Sequence, residues 1–289
     1  MRLIRSHPAL VPALLLVPGL AWLGSFYLAP NLQMLASSLW NGTLETGFSF
    51  SFSNWVNYPN AFGTYQEQYF RSIQYGFAAT LLCFFIAFPL AYYIAFKAGR
   101  ARNILLFLVV APFFTSYLLR TIGWRTILGD DSVVLGPLKA LGLIDPSARI
   151  LDTPFSVVAG IAYNFIPFMI LPIYVSLEKI DRRLLEAAQD LYASSWGAYR
   201  RITLPLAIPG IFAGSLLTFI PAIGDFINAE LLGNPSTAMI GNVIQRQFLV
   251  VRDYPTAAAL SFMLMVLILA GVALYGRLLG TDELTSKAI

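Results

Sequence analysis

Six stretches of this chain are long and apolar enough to cross a bilayer, and they leave little room for anything but a membrane fold. The hydrocarbon core takes about 20 mostly apolar residues per helix. Windows of that kind lie at roughly 9–29, 75–96, 104–122, 155–177, 204–223 and 256–276. None carries an acidic residue at its centre, and most contain proline: Pro12 and Pro18, Pro89, Pro112, Pro167 and Pro172, Pro209 and Pro221. Membrane helices tolerate proline because neighbouring groups satisfy the freed carbonyls. Charged residues make up 12% of the chain, against about 25% in soluble domains. The expected fold is an all-α polytopic membrane helical bundle with six transmembrane helices, one membrane domain over residues 1–289. The first window follows Arg2 and Arg5, as a signal peptide would. It is longer than an h-region of about 7–15 residues, is broken by prolines and lacks a small-x-small cleavage site. It reads as a retained anchor.

Orientation follows from the basic residues, which favour the cytoplasmic side. With the N-terminus inside, the inner segments hold most of the 19 lysines and arginines, and the outer ones most of the 15 acids. The loop KAGRARN at 97–103 is short and purely basic. Six spans then place both termini, and the segment 178–203, in the cytoplasm. Residues 30–70, rich in Asn, Ser, Gly and aromatics, read as a polar outer loop. So do 125–154, with Asp130, Asp131, Asp145 and Asp152, and 224–255, with Asp225, Glu230, Arg246, Arg252 and Asp253.

Several function classes drop out. A net charge of +4 gives no argument for nucleic acid. Cys83 is the single cysteine and His7 the single histidine, so a zinc cluster of those ligands has no material. The GxxxxGK phosphate loop is absent from the sequence, so the chain cannot cradle ATP in that manner. A membrane enzyme would need a His/Asp/Cys constellation that is missing. An ion-gradient transporter fits poorly with spans free of central acids.

The polar segment DRRLLEAAQDLYASSWGAYRRITLP at 181–205 stands out in this setting. At about 100° per residue, Leu184, Leu185, Ala187, Ala188, Leu191 and Tyr192 share one face. Arg182, Arg183, Glu186, Gln189 and Asp190 share the other. Asp181 is placed to cap the helix start, and Ser194 to cap a second short helix running to Arg201, after which Leu204 and Pro205 turn the chain back into the membrane. An amphipathic helix of this kind either lies on anionic lipid or, as half of a projecting hairpin, fits a partner's cleft. Glu186 and Asp190 argue for the cleft.

Glu186–Ala187–Ala188, followed by Ile202, Leu204 and Pro205, resembles the EAA loop of ATP-binding-cassette importer permeases. Pro112–Phe113–Phe114–Thr115–Ser116, Leu119–Arg120, Leu141–Gly142–Leu143–Ile144–Asp145, Pro221–Ala222–Ile223–Gly224–Asp225, Leu231–Leu232–Gly233 and Ile240–Gly241–Asn242–Val243–Ile244 resemble the spermidine/putrescine branch of that family. The resemblance runs from about residue 70 to residue 275. It implies a type I importer-like permease with no cofactor of its own. A second homologous permease, an ATPase homodimer carrying ATP and Mg, and an extracytoplasmic substrate-binding protein would complete it. Coupling to the ATPase would fall to Glu186, Ala187, Ala188, Asp190, Leu191 and Tyr192. One departure is Tyr192, where the family has glycine, the residue suited to a turn with positive φ. A modest repacking, with Tyr192 extending the apolar stripe, is the expectation.

Ionisable groups at span edges are functional candidates. Asp225 and Glu230 are placed to attract the ammonium groups of a polyamine, or are solvated loop acids. Tyr117, Trp124 and Tyr163 would add cation–π contacts, or pack in the bundle. Arg120 is awkward for a cationic cargo; it pairs with an acid such as Asp225, or snorkels. For a sugar, peptide-like or oxyanion cargo it would instead be a ligand.

Overall fold

The computed structural model describes residues 10–279 except Asp131, Ile144 and Pro146. Arg2, Arg5, His7 and the start of the first window lie outside the described residues. The chain divides into two compact units, whose described parts are 10–64 with Ile244–Leu267, and Tyr65–Val243 with 268–279.

In the first unit, helix α1 (Leu10–Leu23) passes through a π turn at Gly24–Leu28 into α2 (Ala29–Ser38). Strands β1 (Trp40–Thr43) and β2 (Gly47–Phe50) then pair antiparallel, Trp40 opposite Phe50 and Thr43 opposite Gly47. Positive φ at Gly42 (117°) and Gly47 (77°) closes this hairpin, as glycine allows. The segment expected as a polar loop is therefore largely ordered. Its asparagines satisfy the backbone where the chain turns: Asn57 Nδ2 donates to the carbonyls of Ser38 and Trp40, each at 2.9 Å, and Asn54 Nδ2 to that of Leu39. Phe48 stacks on Trp40 and meets Tyr254 edge-on at 5.7 Å.

Helix α3 (Asn57–Phe96) starts well before the expected span. Its polar first turns conceal a helical stripe. Tyr69, Ser72, Ala79, Cys83, Ala87, Ala91 and Ile94, three to seven residues apart, are all buried. A hydropathy window sees only the apolar half of that stripe.

In the second unit the third window is not one straight span. Helix α4 (Arg102–Val110) runs into a 3-10 turn at Ala111–Phe114, and α5 (Tyr117–Leu128) leaves it at 95°. Pro112 sits in that turn, and Thr115 and Ser116 are extended (ψ 142° and 136°), so the backbone ladder stops there. Among the described residues, five helices are long and apolar enough to cross a membrane, or six with the bent pair taken as one span. After α6 (Leu135–Ala140) comes α7 (Pro154–Glu178), capped by Thr153. Then follow α8 (Arg182–Asp190), α9 (Ser195–Ala198), α10 (Leu204–Ile223), α11 (Ile227–Leu232), α12 (Ile240–Arg246) and α13 (Tyr254–Leu279).

The core of this unit gathers α3, α7 and α10 around Ala87, Ile161, Met169, Ile173, Leu177 and Ala207. Helix association in lipid depends on close packing and not on a hydrophobic drive. Gly210 and Gly214 supply the closeness. A Cβ on Gly210 would lie 2.5 Å from the Pro172 carbonyl oxygen, and one on Gly214 3.1 Å from that of Met169. Two acids of 125–154 are paired: Asp130 binds Lys139 and Arg149, both at 3.1 Å, and Arg149 also binds Asp152. The hydrogen bond from Lys139, with the Arg149 charge behind it, holds Asp130 below the usual carboxylate range.

Candidate functional site

Two places gather the residues singled out above. The first is the hairpin of α8 and α9. Asp181 Oδ1 accepts from the Arg183 amide at 2.9 Å, and Ser194 Oγ from the Gly197 amide at 3.1 Å, so both caps form. Helix α8 ends on Tyr192 at φ 57°, with the Ala193 amide reaching back to the Ala188 carbonyl at 2.9 Å. This is a left-handed C-terminal cap of the kind glycine usually makes. The expected repacking does not occur. The backbone keeps the turn, and the Tyr192 ring is turned out, 98% exposed. Leu191 beside it and Trp196 across the turn are also exposed. Glu186, Ala187 and Asp190 are exposed, with Ala188 half-buried, so the apolar and charged arcs of α8 are both open to a partner.

The second arm of the hairpin differs from expectation as well. Leu204–Pro205 does not turn the chain. Helical structure is continuous from Ser195 to Ile223, 29 residues. A π turn at Tyr199–Thr203 carries it past Pro205, the Leu204 amide reaching the Tyr199 carbonyl. A wider turn relieves the clash a proline ring makes with the preceding turn of a helix. Tyr199 anchors this arm: Trp196 stacks on it at 5.1 Å, and it meets Phe88 of α3 edge-on at 5.8 Å. At the hairpin's base Arg102 pairs with Glu178 and lies over the Tyr174 ring.

The second place is a buried polar junction of α5, α7 and the α10–α11 turn. Asp225 is 7% exposed, and protein donors occupy its carboxylate. Oδ1 accepts from the Asn228 amide at 2.8 Å; Oδ2 accepts from Asn228 Nδ2 at 2.9 Å and from the Tyr117 hydroxyl. Asn228 Nδ2 also donates to Tyr117 Oη at 2.6 Å. Asn228 Oδ1 accepts from Thr121 Oγ1 and Asn164 Nδ2, each at 3.3 Å. Trp124 meets Tyr163 edge-on at 5.3 Å. Glu230 is exposed on α11 and accepts from Asn242 Nδ2 at 3.1 Å.

Arg120 makes no ion pair with Asp225 among the described residues. The side chain is half-buried, and its Nε and Nη1 are out of solvent with no hydrogen-bond partner there. Its Cζ lies over the rings of Phe113 (5.2 Å) and Tyr117 (5.7 Å). Sequence reasoning passed over Asn228, Asn164 and Thr121. Asn164 inside an apolar window was the available signal, because a polar residue there must find partners.

A family model described as binding-protein-dependent transport system inner membrane component matches residues 87–279. The chain belongs to this family. The permease is 39% identical over 259 residues to the spermidine/putrescine transport system permease protein PotB of Haemophilus influenzae, covering 89% of this chain and 90% of that one. It is 36% identical over 265 residues to the protein of the same name from Escherichia coli K12, covering 91% and 96%. Among solved structures, a chain of a bacterial ABC transporter that imports the polysaccharide alginate superimposes with a TM-score of 0.70 at 20% identity, covering 98% of this chain and all of that one. That likeness concerns the fold. The permease is thus a multi-pass inner-membrane transport component and not an enzyme.

Proposed function

We propose that this permease forms, with a second homologous permease, the path by which an ATP-driven importer carries polyamines such as spermidine or putrescine. The observation that carries this reading is likeness at 36–39% identity, along about nine-tenths of the chain, to relatives named for those solutes. An extracytoplasmic binding protein delivers the solute, and an ATPase homodimer holding ATP and Mg supplies the work. Both termini lie in the cytoplasm, the single membrane domain exposing its 178–203 segment there. Glu186, Ala187, Ala188, Asp190, Leu191 and Tyr192 dock on the ATPase, supported by the exposed tip and the two formed caps. Closure of the ATPase dimer moves the hairpin, and the bundle alternates access between the two faces.

On the solute side the exposed Glu230 attracts ammonium groups, and the aromatic pair Trp124 and Tyr163 flanks the path. Asp225, already saturated by Tyr117 and Asn228, acts through the ring it holds. Reconstitution with the partner permease, ATPase and binding protein tests the reading. ATP-dependent accumulation of labelled spermidine or putrescine is expected; accumulation that ignores ATP, or transport of an uncharged solute in place of polyamines, overturns it.

A further inference from the structure

The odd position of Arg120 points to a use for the rings around it. Phe113 and Tyr117 present faces to its guanidinium at 5.2 and 5.7 Å. Phe168 backs Phe113 edge-on at 5.1 Å, and Phe165 lies 6.1 Å from Tyr117. The Tyr117 hydroxyl donates to the Asp225 carboxylate, which pushes electron density back into the ring and makes its face more attractive to a cation. Ring faces hold cations by about 0.5–2 kcal/mol. Against that, Nε and Nη1 of Arg120 are removed from water with no acceptor among the described residues. A buried donor left unpaired typically costs about 1–3 kcal/mol. Two of the three guanidinium nitrogens thus face the rings without an acceptor, and they gain hydration when the group leaves them.

We propose that Phe113 and Tyr117, at the break of the third span, form an aromatic seat for an alkylammonium group of the transported solute, and that Arg120 occupies the seat until solute displaces it. The seat rests on the polyamine reading above and adds to it a binding position and a resident competitor. Between solutes the arginine keeps the rings covered and presents a positive charge to small cations. A polyamine, carrying several charges, competes for the rings while its other ammonium groups stay solvated or meet Glu230.

The test is equilibrium binding of labelled spermidine to the complete transporter in nanodiscs, without the binding protein, alongside ATP-driven uptake with it. A seat blocked part of the time lowers apparent affinity by the fraction of time it is open. Arg120→Gln should therefore bind spermidine more tightly. Phe113→Leu should weaken binding by about 2- to 30-fold, the range that follows from the cation–π energy, and Phe113→Tyr should retain it. Arg120→Gln that binds no tighter, or that fails to assemble, overturns the proposal, as does Phe113→Leu with wild-type affinity in an assembled transporter. Wild-type transporter that accumulates no polyamine with ATP removes the underlying reading, and the seat with it.

Discussion

Tyr192 offers the sharpest test of how the hairpin is built. Its backbone sits at φ 57°, in the left-handed region, and its ring is 98% exposed. Tyr192→Ala and Tyr192→Gly both remove a side chain with little contact in this chain, and differ only in the Cβ. An L-residue in the left-handed conformation is disfavoured by about 1–2 kcal/mol. Glycine escapes that strain but loses more freedom on folding, by roughly 0.5–1 kcal/mol. The net advantage of glycine over alanine is then on the order of 1 kcal/mol, or about five-fold in a local opening equilibrium. Hydrogen exchange at the Ala193 amide, which closes the cap on the Ala188 carbonyl, reads that equilibrium directly. Protection should be about five-fold greater in the glycine variant than in the alanine variant. Equal protection, or more in alanine, would refute the strain argument. Uptake by the assembled transporter separates a second question. If both variants transport like wild type, the tyrosine ring is dispensable; equal loss in both places the ring itself against the ATPase.

Other outcomes follow from the same structure. Glu186→Lys, on the open charged arc of α8, should abolish solute-stimulated ATP hydrolysis or assembly with the ATPase, measured by co-purification. Asp225→Asn replaces an acceptor that serves three donors; the mismatch should cost about 1–3 kcal/mol, seen as lower thermal stability of the purified transporter. Glu230→Gln, by contrast, should leave stability unchanged and reduce uptake at limiting polyamine, more so at low ionic strength. Gly210→Ala puts a Cβ 2.5 Å from a backbone oxygen of α7; overpacking of this kind typically costs about 1–3 kcal/mol, visible as faster proteolysis or loss of the monodisperse complex on gel filtration.

What could be read from the sequence was whatever depends on local chemistry. The two faces of α8, the Asp181 and Ser194 caps and the apolar reach of α7 and α10 are set by residues within a few positions of one another. The break at Pro112–Ser116 was hidden because hydropathy weighs side chains and is blind to where the backbone ladder stops. The early start of α3 was hidden because its first turns are polar, although Tyr69 and Ser72 already belong to the buried stripe. The Asp225 junction joins Tyr117, Thr121, Asn164 and Asn228, residues 43 to 111 positions apart across its longer bonds, and only the tertiary fold brings them together. At Tyr192 the expectation failed instructively. The turn geometry was strong enough to impose a glycine-like conformation on a bulky residue, and the side chain, not the backbone, gave way.

The unbroken run from Ser195 to Ile223 ties the hairpin tip to the Asp225 end of the permease. Its 29 residues at about 1.5 Å each extend roughly 43 Å. Pivoted near its middle, such a rod tilting by about 10° sweeps its two ends nearly 4 Å in opposite senses. Pressure on Trp196 would thus be felt as a counter-swing at Ile223, tugging on the phenol of Tyr117 through the carboxylate that grips it. A flexible elbow at Pro205 would have absorbed that stroke before it arrived.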